Sequence, residues 1–592
     1  MNKILPKPVF KANRTHKVVY EQLLLKKIDT FTAKIIANRV SHAEDAVNFL
    51  NLNLRFLTAP CYLKNATKAA ERIIIALEKK EVIGIETDHD CDGQTSHAVL
   101  YDALTNGFNH PKEKLCSYIG HKLKEGYGLS LALTKRILQS KVMPNLIITA
   151  DNGSGDEAQI KILKSYGIDV IVTDHHAIPT SGVPESAHTV INPTQPGCSY
   201  GDPYIAGCMV SWLLIAEIRR LMIEKKKNFN FSYQITNLLD FVAVGTIADC
   251  VSMSKSMNNR IIVSYGIKRM SSLTRPCWKV FHEFFDCKID SEYLAFTIAP
   301  LLNSDGRLAD SLSSLQLLLS SDYNDINNWM NFLTKQNESR KILQKKIMQE
   351  AISLATLQYT DKSSICIYLE SGHPGIHGII AARIKEIFNL PTVLFSLKLN
   401  ENNILTGSAR SIDGINIKHV FDLVSDRSSN LLIKHGGHSA AAGLAIHKQD
   451  FNKFSILFDE LCCKMMDKNS VPKIPVIYYD FIPNECDFNL STFKKITRLE
   501  PYGRGFEQPV FYSLGEILTL KLFGKNSEHL NLFLKIHDKK IQGTWFFASY
   551  HLKSISLREG QRVHIVYNIV TNKKYNCKNN YFSIRIKHMN RI

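Results

Sequence analysis

Apolar and polar positions alternate with two different periods over residues 66–192. Ala69, Ile73 and Leu77 fall on one face of a helix, and the apolar run 82–85 after them predicts a buried strand over 82–87. The same alternation predicts helices over 94–105, 129–140 and 156–166, and strands over 115–119, 146–149, 169–173 and 188–191. Strands that alternate with helices of this size indicate βαβ units, and therefore an α/β fold with a parallel sheet.

The pattern changes after residue 192. Residues 205–350 predict mainly helices, and 324–357 form a long helical stretch with few breakers, which we interpret as a rigid connector. A second α/β segment starts near Ser364, with a strand over 365–369 and a helix over 376–388. Residues 466–592 contain short runs typical of strands: 515–518, 530–536, 541–547, 563–569 and 581–586. Five short strands separated by turn residues predict a small β-barrel of the OB type.

Composition narrows the possible classes of protein. A chain of 592 residues is too long for one hydrophobic core, so we expect several domains. With 45% hydrophobic and 22% charged residues, widespread disorder is not expected. Lys and Arg number 73 against 55 Asp and Glu, a net charge of +18, which indicates either a polyanionic partner or a generic basic surface.

The cysteines and the apolar runs bear on the location of the protein. The 13 cysteines are scattered and include no C-x-x-C pair, which favours reduced thiols over a disulfide framework or a zinc site. No apolar run approaches the ~18 residues of a membrane span, and the N-terminus lacks the apolar core of a signal peptide. We therefore expect a soluble cytoplasmic protein without membrane contact.

Acidic and imidazole side chains follow several of the predicted strands. Asp88, Asp90 and Asp92 follow the run 82–87, Asp151 follows 146–149, and Asp174-His175-His176 follows 169–173. Asp249 also follows an apolar run, 241–244. Ligands of parallel sheets gather beyond the carboxyl ends of the strands. Each motif alone is also compatible with a solvated turn, but together they predict one site.

A cation is needed to hold such groups together. Carboxylates and imidazoles that crowd one place repel one another unless a cation neutralises them. Oxygen ligands mixed with imidazole suit manganese or magnesium better than a metal that prefers thiolates. The sequence therefore predicts two divalent cations, Mn²⁺ or Mg²⁺, that activate water against a phosphate ester.

These motifs also carry a family resemblance over most of the chain. Asp88-His89-Asp90-Cys91-Asp92-Gly93, Thr149–Gly153, Asp174-His175-His176 and Gly245–Asp249 resemble the four motifs of the DHH phosphoesterase superfamily, and within it the bacterial RecJ exonucleases. The resemblance implies a DHH catalytic domain over 66–320 after an N-terminal segment 1–65. It further implies a connecting helix over 321–360, a DHH-associated domain over 361–465 and an OB-like nucleic-acid-binding domain over 466–592.

The resemblance also implies a role for each residue of the site. The implied metal ligands are Asp90, Asp92, Asp151, His175 and Asp249, with Asp151 as the bridging carboxylate. His176 would contact the scissile phosphate, and Asp88 would support the site. Glu86 stands where some superfamily members carry a histidine ligand, so it is either a further ligand or without a role.

Further matches imply contacts to nucleic acid. Asn303–Arg307, His373–Gly378, Gly407–Ser411, Gly436-Gly437-His438 and Leu499–Gly503 resemble segments of the same family. They suggest these nucleic-acid-binding residues: Arg307, Arg383, Arg410, Gly436, Gly437, His438 and Tyr502. Tyr502, Phe506 and Phe533 are either platforms for bases or core residues. Lysines would add charge to the barrel at positions 521, 525, 535, 539 and 540.

The resemblance implies a metal-dependent exonuclease that degrades single-stranded DNA from 5′ to 3′ to mononucleotides in recombination and repair. A helicase and a single-strand-binding protein are the implied partners, and we expect a monomer. Two alternatives stay open: a phosphodiesterase of oligonucleotides or cyclic dinucleotides, and a catalytically silent DHH scaffold that binds DNA. Relatives of the first kind usually lack the OB-like region, and those of the second kind usually lose metal ligands.

Overall fold

The computed structural model describes residues 6–592 except 122–124, 309–311, 360–361, 399–400, 553–554 and 572–581. The chain divides into two compact units. The N-terminal unit consists of His16–Glu338 and Arg498–Glu507. The C-terminal unit consists of the residues up to Thr15, of Ser339–Thr497 and of Gln508–Ile592.

The strands of the described residues are β1 (Val9–Ala12), β2 (Ile83–Thr87), β3 (Leu115–Ile119), β4 (Leu146–Ala150), β5 (Asp169–Thr173), β6 (Thr189–Ile191), β7 (Ile365–Tyr368), β8 (Thr392–Lys398), β9 (Glu401–Arg410), β10 (Lys434–Gly437), β11 (Ala441–His447), β12 (Val476–Tyr479), β13 (Phe511–Phe523), β14 (His529–Ile536), β15 (Lys539–Trp545), β16 (Arg562–Thr571) and β17 (Phe582–Arg591).

The α-helices of the same residues are α1 (Lys17–Leu25), α2 (Thr30–Ala37), α3 (Ala43–Asn48), α4 (Ala66–Lys79), α5 (Cys91–Asp102), α6 (Leu131–Leu138), α7 (Glu157–Ser165), α8 (Gly207–Glu224), α9 (Leu239–Ala248), α10 (Met257–Ser271), α11 (Pro276–Phe285), α12 (Ser291–Tyr293), α13 (Ala299–Leu308), α14 (Leu312–Leu319), α15 (Tyr323–Gln358), α16 (Pro374–Phe388), α17 (Ile417–Arg427), α18 (Phe451–Lys468), α19 (Leu490–Arg498) and α20 (Ser549–Leu552). Single π-helical turns cover Ala103–Gly107 and Leu294–Ile298.

The N-terminal unit contains a five-stranded sheet of order β3-β2-β4-β5-β6, in which all neighbours are parallel. Every residue of β2 and β4 is buried, because helices cover both faces of the sheet. Each fully buried isoleucine of these strands contributes ~1.5–3 kcal/mol of hydrophobic stabilisation. The sheet confirms the predicted parallel α/β fold, and it brings the carboxyl ends of β2, β4 and β5 to one edge.

The C-terminal unit contains a second α/β sheet of order β10-β11-β9-β8-β7, which is parallel between β7 and β8 and antiparallel elsewhere. Its core includes Phe395, Phe454 and Phe458, whose rings pack against one another. The same unit contains a closed barrel, β13-β14-β15-β17-β16, which confirms the predicted OB-like barrel. A parallel pair, β1 with β12, joins residues 9–12 to residues 476–479.

The two compact units group the chain as follows. Residues 16–65 belong to the N-terminal unit, together with residues 66–338. Arg498–Glu507 also belongs to that unit, although it directly precedes the barrel in sequence. The long helix is present as α15, as predicted, and its residues divide between the units at Glu338.

None of the helices in the described part of the chain is both long enough and apolar enough to cross a membrane.

Candidate metal centre

The turn after β2 carries the first three carboxylates. Asp90 caps α5, because its Oδ1 accepts the backbone N–H groups of Asp92 (3.0 Å) and Gly93 (3.1 Å). A Cβ at Gly93 would lie 2.2 Å from the backbone oxygen of Asp88, so only glycine fits this turn. The turn therefore fixes Asp88, Asp90 and Asp92 at the carboxyl edge of the sheet.

The carboxylate of Asp92 is held by the start of another helix. The backbone N–H of Gly207 donates to its Oδ2 (2.7 Å) and that of Cys208 to its Oδ1 (3.0 Å). Both residues open α8, whose first N–H groups have no partner within the helix and whose dipole favours an anion. Asp92 is only 1% exposed, and these two hydrogen bonds orient its charged side chain.

Asp151 lies in a tight turn after β4. Its φ of +65° is in the left-handed region, and its N–H donates to the backbone oxygen of Thr173 (3.0 Å). A Cβ at Gly207 would come within 2.7 Å of the Asp151 side chain, so this glycine makes room for the carboxylate. Asn152 closes the turn by donating from Nδ2 to Glu86 Oε1 (3.1 Å).

The carboxylate of Asp174 orients both histidines that follow β5. Its Oδ1 accepts the backbone N–H groups of His175 (2.7 Å) and His176 (3.1 Å) and lies 2.8 Å from His176 Nδ1. Burial would lower the pKa of His176, but the hydrogen bond and the charge of Asp174 outweigh it and raise that pKa to about 9. The contact with Asp174 therefore favours the protonated form of His176.

His175 differs from its neighbour. Burial, together with the charge of His176, lowers the pKa of His175. Its neutral imidazole is the form that binds a metal ion.

Asp249 joins this cluster of side chains from the C-terminal end of α9. It directly follows α9, and its N–H donates to the backbone oxygen of Gly245 (2.9 Å). A Cβ at Gly245 would lie 2.7 Å from Asp92 Oδ1 and 2.3 Å from Thr95 Oγ1. The glycine lets α9 approach α5 closely, which brings Asp249 next to Asp92.

The structure brings these side chains together. His175 Nε2 lies 3.1 Å from Asp151 Oδ1, 3.7 Å from Asp249 Oδ2 and 3.8 Å from Asp92 Oδ2. The described residues contain three groups of possible metal ligands, and the donor atoms within each group all lie within 4.8 Å of one another. The groups are Asp92, His175 and Asp249; Asp88, Asp90 and Asp151; and Asp151, His175 and His176. Asp151 and His175 are each shared by two groups, an arrangement suited to two adjacent cations.

The electrostatics of the cluster fit cations. Burial raises the pKa of Asp151 well above its usual range, and the charges of Asp92 and Asp90 raise it further. Burial and the same two neighbours raise the pKa of Asp249, and burial with Asp88 raises that of Asp90. Bound divalent cations would reverse these shifts, because they compensate the crowded negative charge.

Two buried atoms indicate that a cation fits this cluster. Asp151 Oδ1 and His175 Nε2 face each other at 3.1 Å, but no hydrogen bond joins them or links either of them to another group of the described residues. An unpaired buried polar atom costs ~1–3 kcal/mol, and coordination to a cation would remove that cost. Carboxylate oxygens with one imidazole are a donor set for Mn²⁺ or Mg²⁺. The residues present therefore fit the predicted ions.

All five predicted ligands, Asp90, Asp92, Asp151, His175 and Asp249, belong to these donor groups, and so does Asp88. Glu86 is in none of the groups found among the described residues. It is buried on β2, where burial raises its pKa well above the usual range. Its hydrogen bond to Asn152 gives it a contact within the turn that carries Asp151.

Most of the predicted nucleic-acid-binding residues lie in the C-terminal unit. Arg383 pairs with Glu386 (3.1 Å) and its guanidinium lies 5.4 Å from the ring centre of Phe547. Arg410 ends β9 and donates from Nη1 to the Ala409 oxygen (2.8 Å). Gly436 and Gly437 are exposed on β10, and the N–H of the exposed His438 donates to the backbone of Ala441.

Of the two roles left open for Tyr502, the structure favours that of a core residue over that of a platform for bases. The residue is only 8% exposed, and its ring stacks on Phe506 at 6.0 Å between ring centres. A ring packed in this way has no open face for a base. Phe506 is fully buried, so it is also a core residue. Arg307 lies in α13, but its side chain is outside the described part of the structure.

Phe533 has a different environment on the barrel. The inward side chains of β14, Leu532 and Leu534, are buried, whereas Phe533 between them faces outwards and is only partly buried. Lys540 of β15 lies with Nζ 4.6 Å from the centre of the Phe533 ring. An outward aromatic ring beside a cation is the arrangement expected of a surface that binds single strands.

Several residues that shape the centre were missed by sequence reasoning. Gly207 and Cys208 hold Asp92 from 115 and 116 positions away in sequence. Asn303 of α13 accepts the N–H of Cys91 at Oδ1 (2.8 Å), so it supports the turn of the first motif from a distant helix. No local pattern in the sequence signals these long-range contacts.

The chain matches three family models. The model of the DHH family N-terminal domain matches residues 82–246, the DHHA1 domain model matches 361–464, and the RecJ OB domain model matches 479–588.

Similar proteins and solved structures agree with these models. The single-stranded-DNA-specific exonuclease RecJ of Haemophilus influenzae is 31% identical over 504 residues, which cover 82% of this chain and 84% of that protein. RecJ of Escherichia coli is 29% identical over 489 residues, covering 80% and 81%. The crystal structure of RecJ from Thermus thermophilus in complex with Mn²⁺ has a TM-score of 0.77 at 21% identity, covering 100% of this chain and 80% of that one.

A second manganese-bound structure resembles a shorter part of the chain. The crystal structure of an exonuclease RecJ bound to manganese has a TM-score of 0.56 at 26% identity. The match covers 68% of this chain and 95% of that one.

Proposed function

Because the chain belongs to the RecJ family, we propose that it is a metal-dependent exonuclease specific for single-stranded DNA. The observation that carries the proposal is the convergence of Asp88, Asp90, Asp92, Asp151, His175 and Asp249 in shared donor groups. A carboxylate-rich centre in a protein of net charge +18 fits a polyanionic substrate.

The donor groups suggest how the centre works. Asp92, His175 and Asp249 would hold one cation, Asp88 and Asp90 the other, and Asp151 would contact both. When bound, two divalent cations supply a hydroxide nucleophile at neutral pH and neutralise charge on the scissile phosphate. Asp174 favours the protonated form of His176, and a positive charge on His176 beside the donor groups would suit contact with a phosphate oxygen.

The C-terminal unit has candidate surfaces of its own for a single strand. Phe533 with Lys540 offers a stacking ring and a charge on the barrel, and Arg383 and Arg410 are candidate phosphate contacts. The exposed glycines Gly436 and Gly437 would permit close approach of the backbone to a phosphate. We propose 5′ to 3′ degradation to mononucleotides, in recombination and repair, from the family resemblance.

Two other functions receive less support. A phosphodiesterase of small nucleotides would not need the closed barrel of the C-terminal unit. A silent scaffold would not need metal donors that converge with two buried unpaired atoms among them. We further propose that the protein acts as a cytoplasmic monomer, with a helicase and a single-strand-binding protein as partners.

Digestion of end-labelled single strands tests the proposed function. With Mn²⁺ or Mg²⁺, we expect a 5′ label to appear at once as mononucleotide, while a 3′-labelled strand shortens progressively and a duplex resists. Asp151→Asn removes the shared donor and should lower the rate at least ~100-fold, since metal ions contribute several kcal/mol to the barrier. Asp467→Asn, on the exposed face of α18, is the matched control.

Each alternative predicts another outcome of the same assay. Cleavage of a dinucleotide without cleavage of a long strand would favour the small-nucleotide phosphodiesterase. Strand binding without hydrolysis by either metal would favour the scaffold. Release of the 3′ label first would contradict the proposed polarity.

A further inference from the structure

The segment Arg498–Glu507 is built into the N-terminal unit. The fully buried Arg260 donates from Nη1 to the Pro501 oxygen (2.9 Å) and from Nη2 to the Leu499 oxygen (3.0 Å). The N–H of Tyr502 donates to Ser291 Oγ (3.1 Å). These hydrogen bonds fix the backbone of the segment, and with it the points from which the side chains of residues 503–507 extend.

A tight turn forms the end of this segment. Gly503 and Phe506 exchange backbone hydrogen bonds of 3.1 and 3.0 Å, and the Arg504 oxygen accepts the N–H of Met253 (2.8 Å). Gly505 has a φ of +77°, which a residue with a side chain rarely adopts. Tyr502 and Phe506 point into the core, whereas Arg504 at the tip is exposed.

The tip of the turn lies beside the metal centre. Arg504 Nη1 lies 3.5 Å from the backbone oxygen of Cys250, the residue that directly follows Asp249. The guanidinium of Arg504 therefore lies against the residue that is next in the chain to a proposed metal ligand.

The guanidinium of Arg504 is not used by a carboxylate. Among the described residues no ion pair with Arg504 is present, and its hydrogen bond to Cys250 is long. Arg275 of the same unit is different, because Asp240 (2.7 Å) and Asp102 (2.9 Å) occupy its guanidinium. Arg275 is thus a structural arginine, whereas Arg504 keeps donors and an uncompensated charge beside the cation site.

We propose that Arg504 binds a phosphate of the substrate strand at the metal centre. The inference rests on the proposed function and adds a substrate contact to it. A guanidinium presents five N–H donors in a plane and binds two oxygens of one phosphate at once. The contact would place an exposed cation of the protein beside the residue that follows Asp249, next to the site proposed for the ions.

Substitutions at Arg504 test the proposal, with Arg55 as the matched control because it is an exposed arginine of the same unit. Arg504→Gln should lower kcat/KM for single-stranded DNA ~10- to 100-fold through loss of a charged hydrogen bond, mainly by raising KM. Arg504→Lys should recover part of the loss. Mn²⁺ affinity, measured by calorimetry, should stay within a few-fold of wild type in both. Arg55→Gln should change none of these values.

A neutral linkage in the strand gives an independent readout. Binding is measured by anisotropy in Ca²⁺ with strands that carry one methylphosphonate at successive positions from the 5′ end. At one position the methylphosphonate should weaken DNA binding by wild type and by Arg55→Gln. The same substitution should not weaken DNA binding by Arg504→Gln any further. The salt slope of binding should fall by ~0.7 in Arg504→Gln, the value for one lost phosphate contact on a single strand.

Three results would overturn the proposal. The first is an equal kcat/KM for Arg504→Gln and Arg55→Gln, and the second is a methylphosphonate effect of the same size in both variants. The third is a loss of Mn²⁺ affinity in Arg504→Gln that is as large as its loss of activity. The last would mean that Arg504 shapes the centre and does not contact the strand. Absence of cleavage by wild type would contradict the proposed function, and the binding experiment would still decide the contact of Arg504 with phosphate.

Discussion

His97 shows how one buried residue makes the N-terminal unit sensitive to acid. It lies on α5, with Nδ1 3.3 Å from Thr87 Oγ1 and Nε2 2.8 Å from Ser117 Oγ. Burial lowers its pKa from 6.5 to about 3. Because the unfolded chain then binds the proton more tightly, the contribution of His97 to stability is present above pH 6.5 and is lost as pH falls toward 3.

We expect His97→Gln to flatten the pH dependence of stability. Linkage with these two pKa values gives a loss of about 2 kcal/mol from His97 between pH 7 and pH 5. Glutamine can still hydrogen-bond to both hydroxyl groups but does not titrate. Urea unfolding in EDTA, followed by tryptophan fluorescence, measures the difference. The exposed His16→Gln is the control, and an equal pH dependence in wild type and His97→Gln would contradict the expectation.

The residues of the centre differ in how far the sequence predicts them. Asp88, Asp151 and Asp174 could be predicted because each directly follows an apolar strand, and the carboxyl ends of parallel strands share one edge. Gly207 could not be predicted, because its contact with Asp92 spans 115 residues and looks in sequence like an ordinary helix start. The role of Tyr502 stayed open in the sequence because an aromatic residue beside glycines suits a core as well as a surface.

At the scale of elements, helix ends and strand ends build the centre together. Strands β2, β4 and β5 deliver acids and histidines, while the first turn of α8 and the last turn of α9 complete the set. Periodicity predicted most of these elements to within a few residues, because buried strands and amphipathic helices leave strong patterns. The pairing of β1 with β12 was not predicted, since residues 9–12 and 476–479 carry no signal of each other.

The outward face of β14 and β15 is expected to bind the strand. Phe533→Ala should weaken binding of a single strand ~5- to 100-fold, the range that loss of one stacked base produces. Binding is measured by anisotropy in an Asp151→Asn background, which prevents cleavage. Leu514→Ala, an exposed apolar residue on the first half of β13, is the control. If both variants bind like their parent, the strand does not contact this face of the barrel.

At the scale of the whole molecule, the core of the N-terminal unit is not contiguous in sequence. Phe506 packs on Phe49 with 5.2 Å between ring centres, and the guanidinium of Arg260 lies 4.3 Å from the Phe506 ring and 4.5 Å from the Phe49 ring. The contacts join residues that lie far apart in the chain. The segment that precedes the barrel therefore stabilises the unit that carries the metal centre.

Phe506→Ala should destabilise the N-terminal unit by ~3–5 kcal/mol, the usual cost of removing a buried phenylalanine. Hydrogen exchange followed by mass spectrometry should show faster exchange in peptides around Phe49 and Arg260, far from the substitution in sequence. Phe547→Ala, at a ring that is 44% exposed in the C-terminal unit, should leave that exchange unchanged. Faster exchange that is confined to peptides after residue 497 would contradict the prediction that Phe506 shares a core with Phe49 and Arg260.

This arrangement has a consequence for synthesis on the ribosome. Domains usually fold in order as the chain emerges, yet Arg260 lacks the carbonyl oxygens of Leu499 and Pro501 until residue 501 has been added. Until then the guanidinium of Arg260 also lacks its contact with the Phe506 ring, and so does the ring of Phe49. The metal centre can thus reach its final stability only after most of the polypeptide has left the exit tunnel, which ties maturation of the nuclease site to translation of the segment leading into the barrel.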